Sequence, residues 1–329
     1  MAINFLASGT SMIWRLLQEY GCDPEPIFHD NDIDPEVVKK PGTRLAYSDV
    51  IGLWNNVIEI VKDPCIGLRV AEYWHPSDMN ALGFAWLASG NLNEAFNQLI
   101  RYTRCVSEAV EVAIEKTDNS FKIVYNNKMA DEASYTLIDA SLALLVKMCR
   151  INLGDQLNPI DVHLGHPPPS CFDNYDRYFK ANIYFDSSKN SFSISSDDFK
   201  KPLLSSNPYL LEINDQFLIK YMATLDEDDI ITRAKAEIME MLPTGNLSDD
   251  KISKKLIMSV RTLQRKLKSK GTTYQTIVNE TRKGLAIKYI QNPNLRLEEI
   301  AFLVGYSEYS TFSRAFKRWT GCAPSEYQA

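Results

Sequence analysis

Apolar positions change their period near residue 226, and that change divides the chain. Before it, helical and strand periods alternate. Val50, Leu53, Trp54, Val57, Ile58 and Val61 recur three and four apart, one apolar stripe on a helix over residues 47–62 that Asp63-Pro64 closes. Similar spacing predicts helices over 11–20, 81–89, 92–112, 135–152, 170–179 and 209–225. Strict alternation marks strands at 110–115 and 121–125, flanking the turn Thr117-Asp118-Asn119, and shorter strand candidates at 160–164, 182–185 and 191–195. Beyond the acidic stretch Asp226-Glu227-Asp228-Asp229 the period is helical throughout, over 230–242, 249–256, 260–269, 274–291, 297–304 and 308–319. The pattern predicts an α+β domain over residues 1–225 and an all-α domain over 226–329.

Two segments of the all-α part repeat one another. Ile252-Ser253-Lys254-Lys255-Leu256-Ile257-Met258-Ser259 is followed by Val260-Arg261-Thr262-Leu263-Gln264-Arg265-Lys266-Leu267-Lys268. Ile300-Ala301-Phe302-Leu303-Val304-Gly305-Tyr306-Ser307 is followed, with one extra residue, by Glu308-Tyr309-Ser310-Thr311-Phe312-Ser313-Arg314-Ala315-Phe316-Lys317. Each copy has the grammar of a helix-turn-helix. Ser259 and Ser307 stand where an N-cap is needed, and Ser253 and Ala301 are small where two helices approach. Gly305 suits a turn with positive φ, a feature Ile257 does not share on sequence grounds.

The second helix of each copy buries one edge, Leu263 with Leu267 and Phe312 with Phe316. The other edge carries Arg261, Thr262, Gln264, Arg265 and Lys268 in the first copy, and Tyr309, Ser310, Ser313, Arg314 and Lys317 in the second. Arg and Gln can bond guanine and adenine edges bidentately, whereas Ser, Thr and Lys commonly hold phosphate. Residues 274–291 between the copies form a rod of roughly 27 Å, long enough to set two such helices about one turn of DNA apart.

Charge first argues against this reading. With 36 Lys+Arg against 42 Asp+Glu, the 329-residue chain carries −6. Residues 247–329, however, hold 15 Lys+Arg and 7 Asp+Glu, a surplus of +8 that leaves −14 for the rest. The basic segment is the one with the repeat.

Other chemistries find little support. Six cysteines are scattered with no C-x-x-C pair, so reduced thiols are expected, without a disulfide framework or zinc site. Neither cofactor nor metal ligands are expected, and no catalytic residues. An enzymatic N-terminal domain tethered to a DNA-binding module would have to use Asp161, His163, His166 and Cys171, whose spacing fits no nucleophile-base or metal motif. Residues 1–15 lack a basic leader region, and no run of about 18 apolar residues occurs, so a cytoplasmic protein without membrane contact is expected. Tyr73, Trp74, Trp86, Arg101, Tyr102 and Arg104 are either pocket groups for a small anion or amino-acid-like molecule, or core aromatics and surface charges.

The stretch from Ser259 to Lys268, Gly271, Glu299-Ile300-Ala301, Val304-Gly305-Tyr306-Ser307-Glu308, the run Phe312-Ser313-Arg314-Ala315-Phe316-Lys317-Arg318-Trp319-Thr320-Gly321, Pro324 and Tyr327 resemble the DNA-binding domain of AraC/XylS-type bacterial transcription regulators. Tyr306 stands where Phe is usual, Arg296 where Ser or Thr often caps, with Asn294 as a substitute cap, and Gln328 where Arg is common. Gly21-Cys22-Asp23-Pro24, Asp63-Pro64-Cys65-Ile66-Gly67-Leu68, Leu82-Gly83-Phe84-Ala85-Trp86-Leu87-Ala88-Ser89 and His166-Pro167-Pro168-Pro169 resemble the effector domain of the ornithine-utilisation branch, not the cupin barrel of the arabinose-responsive type. The resemblance implies two helix-turn-helix units joined by a long helix and fed by an N-terminal effector or dimerisation domain. Its expected partners are double-stranded promoter DNA, RNA polymerase and a small-molecule effector, with activation the usual outcome. The helix at 209–225 would dimerise, couple the domains or pack on its own domain.

Overall fold

The computed structural model describes residues 3–129, 135–225, 229–292 and 295–328. Asp226, Glu227, Asp228 and Asn294 lie outside the described residues. Tertiary contacts divide the chain into Met1–Leu218 and Ile219–Ala329, a division inside the helix Pro208–Leu225.

The first unit is α+β. Two short strands, β1 (Asn4–Leu6) and β2 (Arg44–Ala46), pair antiparallel. A second sheet contains β3 (Val110–Lys116), β4 (Ser120–Asn127), β5 (Asp161–His163), β6 (Asn182–Tyr184) and β7 (Asn190–Ser195) in the order β3-β4-β7-β5-β6. Pairing is antiparallel except between β5 and β6. Among the described residues β3 and β6 are the edges, and the sheet does not close into a barrel. Alternation in β4 is clean: Phe121, Ile123, Tyr125 and Asn127 point inward.

Helix Tyr135–Leu153 is the long core helix of this unit, with Ile138, Leu142, Leu145 and Cys149 on one buried face. The Trp86 indole donates to the Met148 carbonyl at 3.0 Å. From Trp86 a chain of rings runs through Phe96 (4.9 Å) and Phe199 (5.8 Å) to Phe121 (4.3 Å), tying helices to the sheet. Helix Leu92–Val106 ends six residues before the 112 expected from periodicity. Tyr102 already leaves helical angles at φ −116°, and Ser107 is extended and bridged to Phe5. The β-branched residues Val110 and Val112 then enter β3.

The cysteine expectation fails at one pair. Cys65 and Cys171 form a disulfide although 106 residues separate them. Proximity comes from tertiary packing of the Ile66–Val70 helix start against the loop before Asp173–Phe179, which no local spacing rule can see. Cys22, Cys105, Cys149 and Cys322 are free thiols.

The second unit is helical: Ile230–Met241, Asp249–Lys255, Val260–Ser269, Tyr274–Ile290, Leu297–Leu303, Tyr309–Thr320 and Pro324–Gln328. Four of these start on side-chain caps: Asp229 accepts from Ile231 and Thr232, Ser248 from Lys251, Ser259 from Thr262 and Thr273 from Thr276. Leu263 and Leu267 share one core with Phe312 and Phe316, through Ile277, Leu285 and Tyr289 of the connecting helix. Among the described residues no helix is long and apolar enough to cross a membrane.

Candidate nucleic-acid interface and effector cavity

Both copies of the repeat are built on the same backbone turn. In the first, the N–H of Ile257 bonds the Lys254 carbonyl (3.0 Å) and that of Met258 the Ser253 carbonyl (2.9 Å). In the second, Gly305 bonds Phe302 (2.9 Å) and Tyr306 bonds Ala301 (2.9 Å). This is the Schellman closure of a helix, and it needs a left-handed residue at its centre. Gly305 supplies it at φ +79°, and a Cβ there would sit 2.8 Å from the Leu242 carbonyl oxygen. Ile257 adopts the same conformation at φ +56°, contrary to the sequence reading. Two carbonyl bonds hold a β-branched residue where its Cβ crowds the chain, which costs about 1–2 kcal/mol. Ile257 is 91% exposed and so has little packing to lose. Ile257→Gly is therefore expected to stabilise the second unit by about 0.5–1 kcal/mol once glycine's greater unfolded entropy is subtracted. Chemical denaturation of wild type and variant checks this; an unchanged or lowered midpoint refutes the strain.

The turns aim two helices outward. On Val260–Ser269 the exposed residues Arg261, Gln264, Arg265 and Lys268 follow at i, i+3, i+4 and i+7, opposite the buried Leu263 and Leu267. Thr262 is half-buried, its hydroxyl 2.9 Å from that of the capping Ser259, and Gln264 donates to Asp249 at 3.3 Å. Arg261, Arg265, Lys268 and Lys317 make no ion pair among the described residues, so their charge is available to a ligand. On Tyr309–Thr320, Ser310, Arg314 and Lys317 are exposed at i, i+4 and i+7, while Ser313 is half-buried. Arg314 lies 3.5 Å from the Thr311 hydroxyl. Tyr309 differs from the rest: its ring packs toward the core, 6.2 Å from Phe312.

Ser307 is not the cap it was expected to be. The helix begins at Tyr309 with Glu308 as its cap residue, and no side chain caps it, because the extra residue of the second copy lengthens the turn. Helix Leu297–Leu303 starts after Arg296, where the Glu299 carboxylate accepts from the Arg296 N–H at 2.8 Å and replaces the missing hydroxyl cap. The connecting helix is fastened to the second turn by Arg282, which donates to the Gly305 carbonyl at 3.1 Å and lies over the Tyr306 ring at 4.6 Å.

The first unit contains a cavity of about 120 Å³ between its helices and the β3-β4 hairpin. Ile13, Val50, Trp54, Leu99, Val112 and Met148 form much of its wall. None of Tyr73, Trp74, Trp86, Arg101, Tyr102 and Arg104 lines it. Trp74 and Trp86 are buried, and the Tyr73 carbonyl accepts from Arg15 Nε at 2.8 Å. Tyr102 donates to Asp215 at 2.5 Å beneath Arg101, and Arg104 lies 3.9 Å from Glu108. The small and polar residues that do border the cavity, Thr103, Ala140 and Ser141, interrupt otherwise apolar helix faces. That interruption is the signal the sequence offered for them.

The residues of the enzymatic alternative are not assembled into a reactive group. Cys171 is bonded to Cys65, and His163 and Asp161, both half-buried, lie 3.6 Å apart. His166 turns away, its Nε2 2.9 Å from Asp139 Oδ1 and its Nδ1 2.8 Å from the Pro167 carbonyl. The Tyr175 hydroxyl donates to the other Asp139 oxygen at 2.6 Å.

Residues 21–203 match the family model described as the arabinose-binding domain of AraC transcription regulator, N-terminal, and residues 252–329 match a helix-turn-helix domain. The chain is similar to an ornithine utilization regulator of Pseudomonas aeruginosa, at 29% identity over 95% of this chain and 93% of that one. It is similar to the HTH-type transcriptional regulator VirS of Mycobacterium tuberculosis, at 25% identity over 95% of this chain and 93% of the other. The crystal structure of the transcriptional regulator CdpR from Pseudomonas aeruginosa shares its fold with a TM-score of 0.54 at 19% identity, covering 96% of this chain and 98% of that one.

Proposed function

Because the chain belongs to the AraC family of transcription regulators, we propose that it holds promoter DNA with two recognition helices, Val260–Ser269 and Tyr309–Thr320, set on one core. It is a DNA-binding regulator and not an enzyme. The observation that carries the finer assignment is the duplicated Schellman turn presenting two exposed cationic helix edges within a segment of charge +8. Arg261, Gln264, Arg265 and Arg314 read base edges, and Thr262, Lys268, Tyr309, Ser310, Ser313 and Lys317 hold the sugar-phosphate backbone. The 17-residue connecting helix spans about 25 Å, short of the roughly 34 Å between successive major grooves, so the DNA bends toward the protein.

Salt dependence tests the backbone contacts. Lys268→Ala and Lys317→Ala are each expected to reduce the slope of log affinity against log salt by about one charge while leaving sequence preference unchanged. Slopes equal to wild type in both variants would remove the phosphate assignment.

The first unit is the effector domain: a small molecule held there shifts the population of DNA-competent states. We assign activation through contact with RNA polymerase, in the cytoplasm where the nucleoid lies; loss of the protein raising transcription from its promoter would reverse the sign. Tyr209, Leu210, Ile213 and Phe217 leave an exposed apolar stripe on helix Pro208–Leu225, with Tyr209 70% and Phe217 53% exposed. This stripe pairs with a second copy of the chain. Sedimentation of a strict monomer at micromolar concentration would exclude that pairing.

A further inference from the structure

The cavity has a chemistry that a sugar or an amino acid does not fit. Close-packed interiors leave few voids larger than a water molecule. Here about 120 Å³ is open, near the ~150 Å³ of apolar cavities that stay dry and take up benzene. The polar groups on its wall are already bonded within the protein. Thr103 and Thr10 donate to the Leu99 and Ala7 carbonyls at 2.6 and 2.8 Å. The Tyr125 and Ser141 hydroxyls bond one another at 2.9 Å, and the Tyr47 hydroxyl accepts from Asn127 at 2.7 Å. Ser107 accepts from the Ala109 N–H at 3.2 Å, and Asp78 Oδ2 is paired with Arg15 and the His75 N–H.

A pentose placed here would strip water from several hydroxyls at once and meet only a few wall hydroxyls, each already bonded within the protein, too few to replace that hydration. A zwitterion would bring two charges to a wall whose one carboxylate is already paired with Arg15. We infer that the effector is an uncharged, carbon-rich small molecule, an aromatic ring or a short alkyl group, seated between Trp54, Val112 and Met148. This rests on the reading of the first unit as an effector domain. The resident polar groups stay paired when such a ligand enters, so binding draws on burial of apolar surface alone.

Calorimetric titration of the full chain with toluene, L-arabinose and L-ornithine tests the inference. Toluene is expected to bind saturably at one site, with a negative heat-capacity change, and the two polar compounds are expected to give no saturable heat. Filling the space by Val112→Phe, or by Thr103→Phe should the first variant fail to fold, is expected to weaken toluene at least about tenfold. No saturable toluene binding, or arabinose or ornithine binding that the filling variants abolish, overturns the ligand class. DNA affinity measured with and without toluene separates the two readings: toluene bound with DNA affinity unchanged sustains the apolar site and refutes the effector role of the domain.

Discussion

Replacing Arg265 and Arg314 together by alanine is expected to weaken binding to a DNA site, selected by the wild-type chain from a random pool, by about 2–6 kcal/mol. Each guanidinium, if bidentate to a base, carries about 1–3 kcal/mol of discrimination, and effects at separate helices add. Both side chains are exposed and lie outside the shared core, so stability should move by less than about 0.5 kcal/mol. The loss therefore reports on recognition. Footprinting of the single variants adds geometry: Arg265→Ala should release one half of the protected site and Arg314→Ala the other, because the two helices are copies that flank Tyr274–Ile290 along the chain. Intact footprints in both single variants, with unchanged affinity in the double, would place the reading face elsewhere on the unit.

Why the DNA-binding unit is readable from sequence, and the first unit only in outline, follows from the range of the interactions that build each. Leu263 with Leu267 and Phe312 with Phe316 are four residues apart, and the Ser259 cap acts across three, so periodicity and turn chemistry record them directly. Even there one backbone feature escaped. Ile257 lacks the glycine signature of its turn because two carbonyl bonds, from Ser253 and Lys254, enforce a conformation its own side chain resists. In the first unit the deciding contacts are long. The Cys65–Cys171 bond spans 106 residues, and β1 and β2, three residues each, are too short to show alternation. The cavity was hidden for another reason. Aromatic and basic residues such as Trp86 and Arg101 have the chemistry of ligand groups, yet the structure engages them with Met148 and Asp215. The cavity's own mark, Thr103 and Ser141 interrupting apolar helix faces, is fainter than these, because internally bonded hydroxyls on a helix read as ordinary core polar residues.

Asp139→Ala is expected to cost the first unit about 3–5 kcal/mol, the cost of breaking a buried pair from one side. Asp139 is buried in helix Tyr135–Leu153 and accepts two hydrogen bonds, from His166 Nε2 and from the Tyr175 hydroxyl. His166 also meets the Pro167 carbonyl through Nδ1. A carbonyl and a carboxylate both only accept, so this arrangement favours an imidazole that donates from both nitrogens, the charged form. Burial alone would lower its pKa, but the hydrogen bond and charge of Asp139 prevail and the net shift is upward. For a group whose folded pKa is raised, the added stability is complete below the unfolded value of about 6.5 and is lost as pH rises through the folded one. Wild type should therefore lose thermal stability on the alkaline side of the ordinary imidazole range. Asp139→Asn discriminates charge from hydrogen bonding. Asparagine can still accept from Tyr175 and donate to a neutral His166, so it should cost less than alanine and flatten this pH dependence. Thermal melts of the three proteins from pH 5.5 to 9 decide the matter; equal losses for Ala and Asn with the wild-type pH profile retained would show that His166 is neutral. Asp139 adjoins Ala140 and Ser141 on the cavity wall, so the same network holds in place the helix that shapes the cavity.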